Sequence, residues 1–180
     1  MWSYFLIAGS GFLLVLLSDV LQIRETTVMT ALLSWTGYAL VGLCVLSLAL
    51  RGVRASTGAD ALAISGIALS VIFSGLLLFS VGFEIPFAQK RVKAPKNKAY
   101  MKGTYGFSRH PGFLWFTALQ CALWAVHRDG GSLALSAWMI LLDFLLVCLE
   151  DRILFPRIFV DYDEYRKKVP FLLPLPGLKK

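Results

Sequence analysis

The sequence predicts an all-α fold: a polytopic transmembrane helical bundle of about five spans, closed by a C-terminal amphipathic helix on the cytoplasmic side. Three observations predict it. The 180 residues are 57% hydrophobic and only 16% charged, whereas a soluble domain is nearer half apolar and a quarter charged. The apolar residues fall in blocks long enough to cross a bilayer, which takes about 20 residues per helix. The net charge of +7 collects in the loop at 90–109 and in the tail after 151. Basic residues that flank membrane spans serve orientation and attract anionic lipid headgroups, so nucleic acid is a poor partner for them. One integral membrane domain covers 1–180, with no separate soluble domain.

The first span covers about 2–21. No basic region precedes it, and it is too long for the core of a signal peptide. Asp19, near its end, is expected in water at the interface. The second span covers about 28–50 and contains Gly37 and Gly42. In the third, about 61–82, Gly66, Ser70 and Ser74 repeat every four residues. Small residues at that spacing let helices approach closely in lipid. Glu84 and Pro86 follow, with Glu84 expected as a surface carboxylate.

Lys90, Arg91, Lys93, Lys96, Lys98, Lys102 and Arg109 make the next loop strongly basic, and Pro95 and Asn97 argue against a helix through it. The fourth span covers about 111–126. A tight turn from His127 to Gly131, with His127 read as interfacial, leads to the fifth span at about 132–149. Pro156 is expected to interrupt the helix after that. Residues 157–168 read as an amphipathic segment on the membrane surface, with Ile158, Phe159, Tyr162 and Tyr165 near one face. Pro170, Pro174 and Pro176 mark an extended tail. Cys44, Cys121 and Cys148 lie inside apolar blocks without metal-ligand spacing and read as buried free thiols, so no metal site is expected. With the basic loop in the cytoplasm, Arg24, the loop cations and those after Asp151 lie inside, against Arg51, Arg54 and Arg128 outside. The N-terminus is then out and the C-terminus in, in an inner or plasma membrane or the endoplasmic reticulum.

The chemistry concentrates in Gly103-Thr104-Tyr105-Gly106-Phe107-Ser108-Arg109-His110-Pro111-Gly112-Phe113. Proline lacks a backbone donor and fits the first position of a helix, while the residue before it is pushed out of helical geometry. His110 is therefore expected just outside a helix and Pro111 just inside. A helix start with Arg109 beside it suits a carboxylate or phosphate; an interfacial anchor with Arg109 on lipid phosphate is the plain alternative.

The short turn makes the last two spans antiparallel neighbours. Counting outward from its centre, Glu150 falls opposite Arg109, Asp151 opposite Ser108 and Asp143 opposite Phe116, to within about one helical turn, roughly 5 Å. Carboxylates at a helix C-terminus oppose the helix dipole, which suggests a purpose beyond the helix itself. A simple ion pair to Glu150 from Arg109 or Arg152 would also account for them. Asp143, deep in the fifth span, must be protonated, paired or turned to water, with Gln120 a plausible neighbour. A zwitterion suits this hairpin mouth. Arg109, His110 and the helix start would hold a carboxylate, Glu150 and Asp151 an ammonium or sulfonium, and Tyr105, Phe113 and Tyr162 would stack on a ring or face a cation. These residues alone do not single out one zwitterion.

Two blocks carry a resemblance. The first is Gly103-x-Tyr105 with Arg109-His110-Pro111-x-Phe113. The second is Glu150-Asp151 followed by Phe159, Tyr162, Tyr165, Val169 and Pro170. In order and separation they resemble the isoprenylcysteine carboxyl methyltransferase and phospholipid methyltransferase superfamily of integral membrane enzymes, over roughly 90–176. Phe113 stands where that family has tyrosine, Asp151 where it has a second glutamate, and Val160 where it has glycine. The resemblance implies a cytoplasm-facing S-adenosylmethionine site between the last two spans and the C-terminal segment, held by Tyr105, Arg109, His110, Pro111, Phe113, Glu150, Asp151, Tyr162 and Tyr165. It also implies a lipidic methyl acceptor entering from the bilayer. A carboxylate acceptor would be placed by Arg109 or Arg152, and an amine acceptor would give its proton to Glu150 or Asp151. An NADPH-dependent sterol-type reductase and a non-catalytic lipid-binding protein are the competing readings. The first would use the basic loop for a 2′-phosphate, the second for anionic lipid.

Overall fold

The computed structural model of the chain describes residues 2–24, 27–55, 61–84 and 98–173, with 53–55 in backbone only. Lys90, Arg91, Lys93, Lys96, Pro86, Pro95, Asn97, Pro174 and Pro176 lie outside the described residues. All regular structure among those described is helical: α1 (Trp2–Gln22), α2 (Val28–Ala55), α3 (Ala61–Leu78), α4 (Thr104–Phe107), α5 (Pro111–His127), α6 (Gly130–Leu149), α7 (Phe155–Ile158) and α8 (Tyr162–Lys168). A π-helical turn, Phe79–Glu84, extends α3, and a second, Glu150–Leu154, joins α6 to α7.

Four stretches are long and apolar enough to cross a membrane: Trp2–Gln22, Val28–Gly52, Ala61–Glu84 and Gly130–Ile158. They are compatible with an integral membrane protein. The fourth expected span, α5, has 17 residues, or about 26 Å of helix against a hydrocarbon thickness of about 30 Å. Pro111 at its first turn and the left-handed backbone of Arg128 (φ 53°) limit it at the two ends. Large apolar side chains face outward on several helices, among them Leu6, Leu13, Trp35 and Val71. Such an outward apolar surface is compatible with burial in lipid.

Small residues set how closely the helices approach. Gly11 of α1 and Gly37 of α2 face each other so tightly that a Cβ on Gly37 would lie 2.6 Å from the Gly11 carbonyl oxygen. Nearby, the Ser18 hydroxyl donates to the Thr30 carbonyl at 2.7 Å. The Gly66 and Ser70 stripe of α3 meets α5: a Cβ on Gly66 would lie 2.8 Å from Val126 Cγ2, and Ser70 is buried with its hydroxyl turned back to the Gly66 carbonyl. Phe12, Val15, Leu48, Phe116, Leu135 and Met139 fill the space between the helices.

The structure departs from the sequence reading at the fifth span. Pro156 does not interrupt it. In the π turn the Phe155 N–H bonds the Glu150 carbonyl five residues back, so the hydrogen-bond ladder is already shifted where the proline's missing donor falls. The helical run reaches Ile158. The expected amphipathic segment 157–168 is divided by extended backbone at Phe159 (φ −107°, ψ 122°). Tyr162 and Tyr165 of α8 pack inward against Phe155, Phe159 and Met101. Of the three cysteines, only Cys44 is buried; Cys121 is exposed. His127 is more than interfacial, since its Nε2 lies 2.6 Å from the Leu48 carbonyl and ties α2 to the α5–α6 turn.

Replacing Gly37 with valine should lower the stability of detergent-solubilised protein by about 1–3 kcal/mol, the usual cost of overpacking. Gly42→Ala, whose Cβ meets nothing within 4 Å, should be neutral or slightly stabilising. Thermal unfolding of the two variants checks this; equal melting temperatures would contradict the close α1–α2 approach.

Candidate functional site

The helix start of α5 is built as its sequence demands. His110 is the non-helical cap (φ −127°, ψ 64°), Pro111 opens the helix, and the His110 N–H is taken up by the Ser108 hydroxyl at 3.2 Å. Arg109 and His110 are thereby held at the end of the bundle where α6 runs into its π turn. π turns widen a helix and re-aim its side chains, and they recur at functional sites. Here the turn carries Glu150 and Asp151 toward Arg109 and His110.

Asp151 is the hub. Its Oδ1 accepts from the Arg109 guanidinium and, at 2.7 Å, from the Tyr162 hydroxyl. Arg166 Nε approaches Oδ2 at 3.9 Å. The Arg109 and Asp151 side chains are only 9% and 6% exposed, which makes this a buried pair rather than a surface one. The hairpin count put Glu150 opposite Arg109; the charge partner is instead the next residue, within the stated error of one turn. The His110 ring stands between the two carboxyls, with Nδ1 3.5 Å from Glu150 and Nε2 3.5 Å from Asp151. Phe155 stacks on one face at 5.7 Å and Phe171 meets it edge-on at 5.2 Å.

Burial holds the His110 pKa below its ordinary value, against the opposing pull of Asp151, so the ring is neutral at pH 7. A neutral imidazole donates from one nitrogen only. It can therefore donate toward only one of the two carboxyls, each 3.5 Å away. Burial also raises the Tyr162 hydroxyl above its ordinary value, helped by Asp151, and keeps it a donor.

The chain after α8 straps over this cluster. The Arg109 N–H donates to the Pro170 carbonyl at 3.0 Å, the Ser108 hydroxyl to the Phe171 carbonyl at 3.3 Å, and the Phe171 ring lies 5.6 Å from the Arg109 guanidinium. Two buried nitrogens remain without a hydrogen-bond partner, Arg109 Nε and His110 Nε2.

A second layer positions the segment before Arg109. Glu84, expected at the surface, is buried. Its carboxylate accepts from the Thr104 N–H at 2.8 Å and from the Thr104 hydroxyl. Gly103 has φ +58°, and a Cβ there would fall 1.8 Å from Glu84 Oε1; a glycine is required on both counts. Tyr105 donates to the Ser80 carbonyl, and its own carbonyl accepts from the Tyr165 hydroxyl at 2.7 Å.

Among the residues singled out by sequence, Arg109, His110, Pro111, Glu150, Asp151 and Tyr162 come together. Tyr105 and Tyr165 stand one layer away and brace α4 against α8. Tyr162 is 2% exposed and holds Asp151, so its ring is not open for stacking on a ligand. Phe113 reaches the cluster only through Phe144, at 5.7 Å. Arg152 is exposed and takes no part in these ion pairs. Val160 is 85% exposed, so no close backbone approach depends on a glycine there. Gln120 does not pair with Asp143: it is fully buried and both its amide atoms lack partners.

Sequence reasoning placed Asp19 in water at the interface and passed over Phe155 and Phe171. Asp19 is only partly exposed. Its carboxyl interacts with that of Glu150, and its Oδ2 is buried without a partner. An acid inside an apolar helix was the available signal. Among the described residues no three His, Cys, Asp or Glu side chains converge to hold a metal ion.

Comparison with family models, with curated proteins and with solved structures returns no match for this chain.

Removing the hub's charge leaves a buried guanidinium unpaired, so Asp151→Asn should cost about 3–5 kcal/mol. Tyr162→Phe, which removes one hydrogen bond to a charged group, should cost about 1.5–3 kcal/mol. Adding Arg109→Met to Asp151→Leu should recover part of the loss. Denaturation in detergent checks the order; an Asp151→Asn protein as stable as the parent would refute the hub.

Proposed function

We propose that the chain is an S-adenosylmethionine-dependent integral membrane methyltransferase acting on a lipidic acceptor. The observation that carries this reading is the meeting of Arg109 and His110 with Glu150 and Asp151 across one hairpin, with unpaired nitrogens on one side and a carboxyl that has no cationic partner on the other. Arg109 Nε and His110 Nε2 are buried and unpaired, which fits them to a ligand carboxylate. Glu150 has the imidazole at 3.5 Å and the Asp19 carboxyl within reach, and no lysine or arginine among the described residues pairs with it, which fits it to a cationic centre. Asp151 is already taken up by Arg109 and Tyr162, so its part is to hold those donors in place. The spacing of the two sequence blocks supports the same reading.

S-adenosylmethionine, when bound, supplies a methyl group on a sulfonium centre. The chain's share is alignment and exclusion of water. The Asp151 pair fixes the guanidinium plane, the Phe155 and Phe171 rings hold the imidazole, and the strap at Pro170–Phe171 keeps solvent off both. In this reading α5 crosses the membrane as a fifth, short span. The cluster faces the cytoplasm, the N-terminus lies outside, and the basic loop with Arg166, Lys167 and Lys168 meets anionic headgroups.

Calorimetry with S-adenosylhomocysteine on detergent-purified protein tests the proposal. Saturable binding is expected for the parent, with loss of detectable heat in His110→Ala and Glu150→Ala. Binding of NADPH in place of S-adenosylhomocysteine, or full affinity in both variants, would overturn it.

A further inference from the structure

The nitrogens Arg109 Nε and His110 Nε2 are buried as well as unpaired, so a ligand that meets them has to move something aside. Two rings cover the imidazole. Phe155 belongs to the continuous helical run that ends at Ile158 and is fixed by it. Phe171 stands on the chain after α8, and its ring meets both the Arg109 guanidinium at 5.6 Å and the His110 ring at 5.2 Å. That chain changes character between two residues. Val169 is 6% exposed, packs on Tyr162 and Tyr165, and closes its N–H on the Tyr165 carbonyl at 2.9 Å. Pro170 has no N–H to extend that ladder. From Pro170 to Leu172 the residues are half-buried, and Leu173 is 53% exposed.

We infer that the strap from Pro170 to Leu173, hinged at Val169, is a self-inhibiting gate: it occupies the donors around Arg109 with its own carbonyls and ring, and an anionic ligand enters by displacing it. The Pro170 carbonyl accepts from the Arg109 N–H at 3.0 Å, and the Phe171 carbonyl from the Ser108 hydroxyl at 3.3 Å. Together with the guanidinium, these are donors that a carboxylate or phosphate oxygen takes. Ser108 is fully buried, so its hydroxyl, like the two nitrogens, meets a ligand only when the strap is off. Carbonyl oxygens and a ring face are weak substitutes for an anion, because a hydrogen bond to an ionised acceptor is roughly twice as strong as one to a neutral acceptor. The exchange therefore favours a ligand that is anionic and leaves the strap in place against a neutral one.

The hold is light enough to release. Two neutral hydrogen bonds and the contacts of one ring favour the closed strap by a factor of about 10–1000. The open form is then a minor but populated state that a ligand can select. Opening on the other side, at Phe155, would unwind the π turn that aims Asp151 at Arg109. The gate rests on the proposed cofactor site for the identity of what enters, and on the strap's own contacts for the motion.

Amide hydrogen exchange on the full chain in detergent, without ligand and read residue by residue by mass spectrometry, tests the motion. The Arg109 N–H should be protected by a factor of about 10–1000, the hold of the strap, and far less than the Leu119 N–H in the middle of α5. Phe171→Ala should lower the Arg109 factor about five- to tenfold without changing that of Leu119. Arg109 protection equal to that of Leu119 in the parent protein, which needs no variant to fold, would overturn the gate. Stopped-flow binding of S-adenosylhomocysteine tests the competition. Phe171→Ala should raise the association rate constant about five- to tenfold, whereas an unchanged or lower constant would make the strap a fixed wall and overturn the gate. Should the parent bind no S-adenosylhomocysteine, the cofactor reading fails on its own and the exchange result alone decides the gate.

Discussion

A guanidinium that is nine-tenths buried tolerates no vacancy opposite it, and the Arg109–Asp151 pair is the constraint on which this end of the bundle depends. Asp151 faces Arg109 because a π turn re-aims the end of α6. The same carboxylate accepts from Tyr162, and so draws α8 back over the hairpin. The strap that follows α8 bonds the backbone of Arg109 itself. One ion pair thus links α5, α6 and the C-terminal segment, and it sets the place of His110 between two carboxyls. The cost of burying those charges is offset by hydrogen bonds on nearly every side; the buried nitrogens Arg109 Nε and His110 Nε2 are the exceptions.

Helix pairing was legible where it rests on local rules. Pro111 opens α5 with His110 as its cap because a proline at that position leaves little choice. Gly66 and Ser70 pack against α5 because small residues four apart make a flat stripe. The hairpin count brought the two charged motifs to one end because a two-residue turn fixes depth to about a helical turn. It could not choose between Glu150 and Asp151, since adjacent residues on an ideal helix differ by about 100° in direction. The π turn that decides between them has no signature a periodicity can read. The same turn absorbs Pro156, which sequence rules take as a stop. Glu84 and Asp19 were misjudged for a common reason: each lies near a helix end, where water is the default partner, and only tertiary packing brings Thr104 to one and Glu150 to the other. Cys121 was misplaced because an apolar block in a membrane bundle has an outward face as well as an inward one.

The two neighbouring carboxyls divide their work by what already surrounds them. Asp151 has a guanidinium and a phenol and serves as a fixed post. Glu150 has the neutral His110 imidazole at 3.5 Å, the carboxyls of Asp19 and Asp143 within electrostatic reach, and no guanidinium or ammonium paired with it among the described residues.

The most direct measurement is ultraviolet crosslinking of S-adenosylmethionine, radiolabelled in its methyl group, to the full chain in detergent, followed by mapping of the labelled peptide. The account predicts label within 103–113 or 150–171, competed away by S-adenosylhomocysteine and untouched by NADPH. Label confined to α1–α3, or none that the homocysteine product displaces, would contradict it.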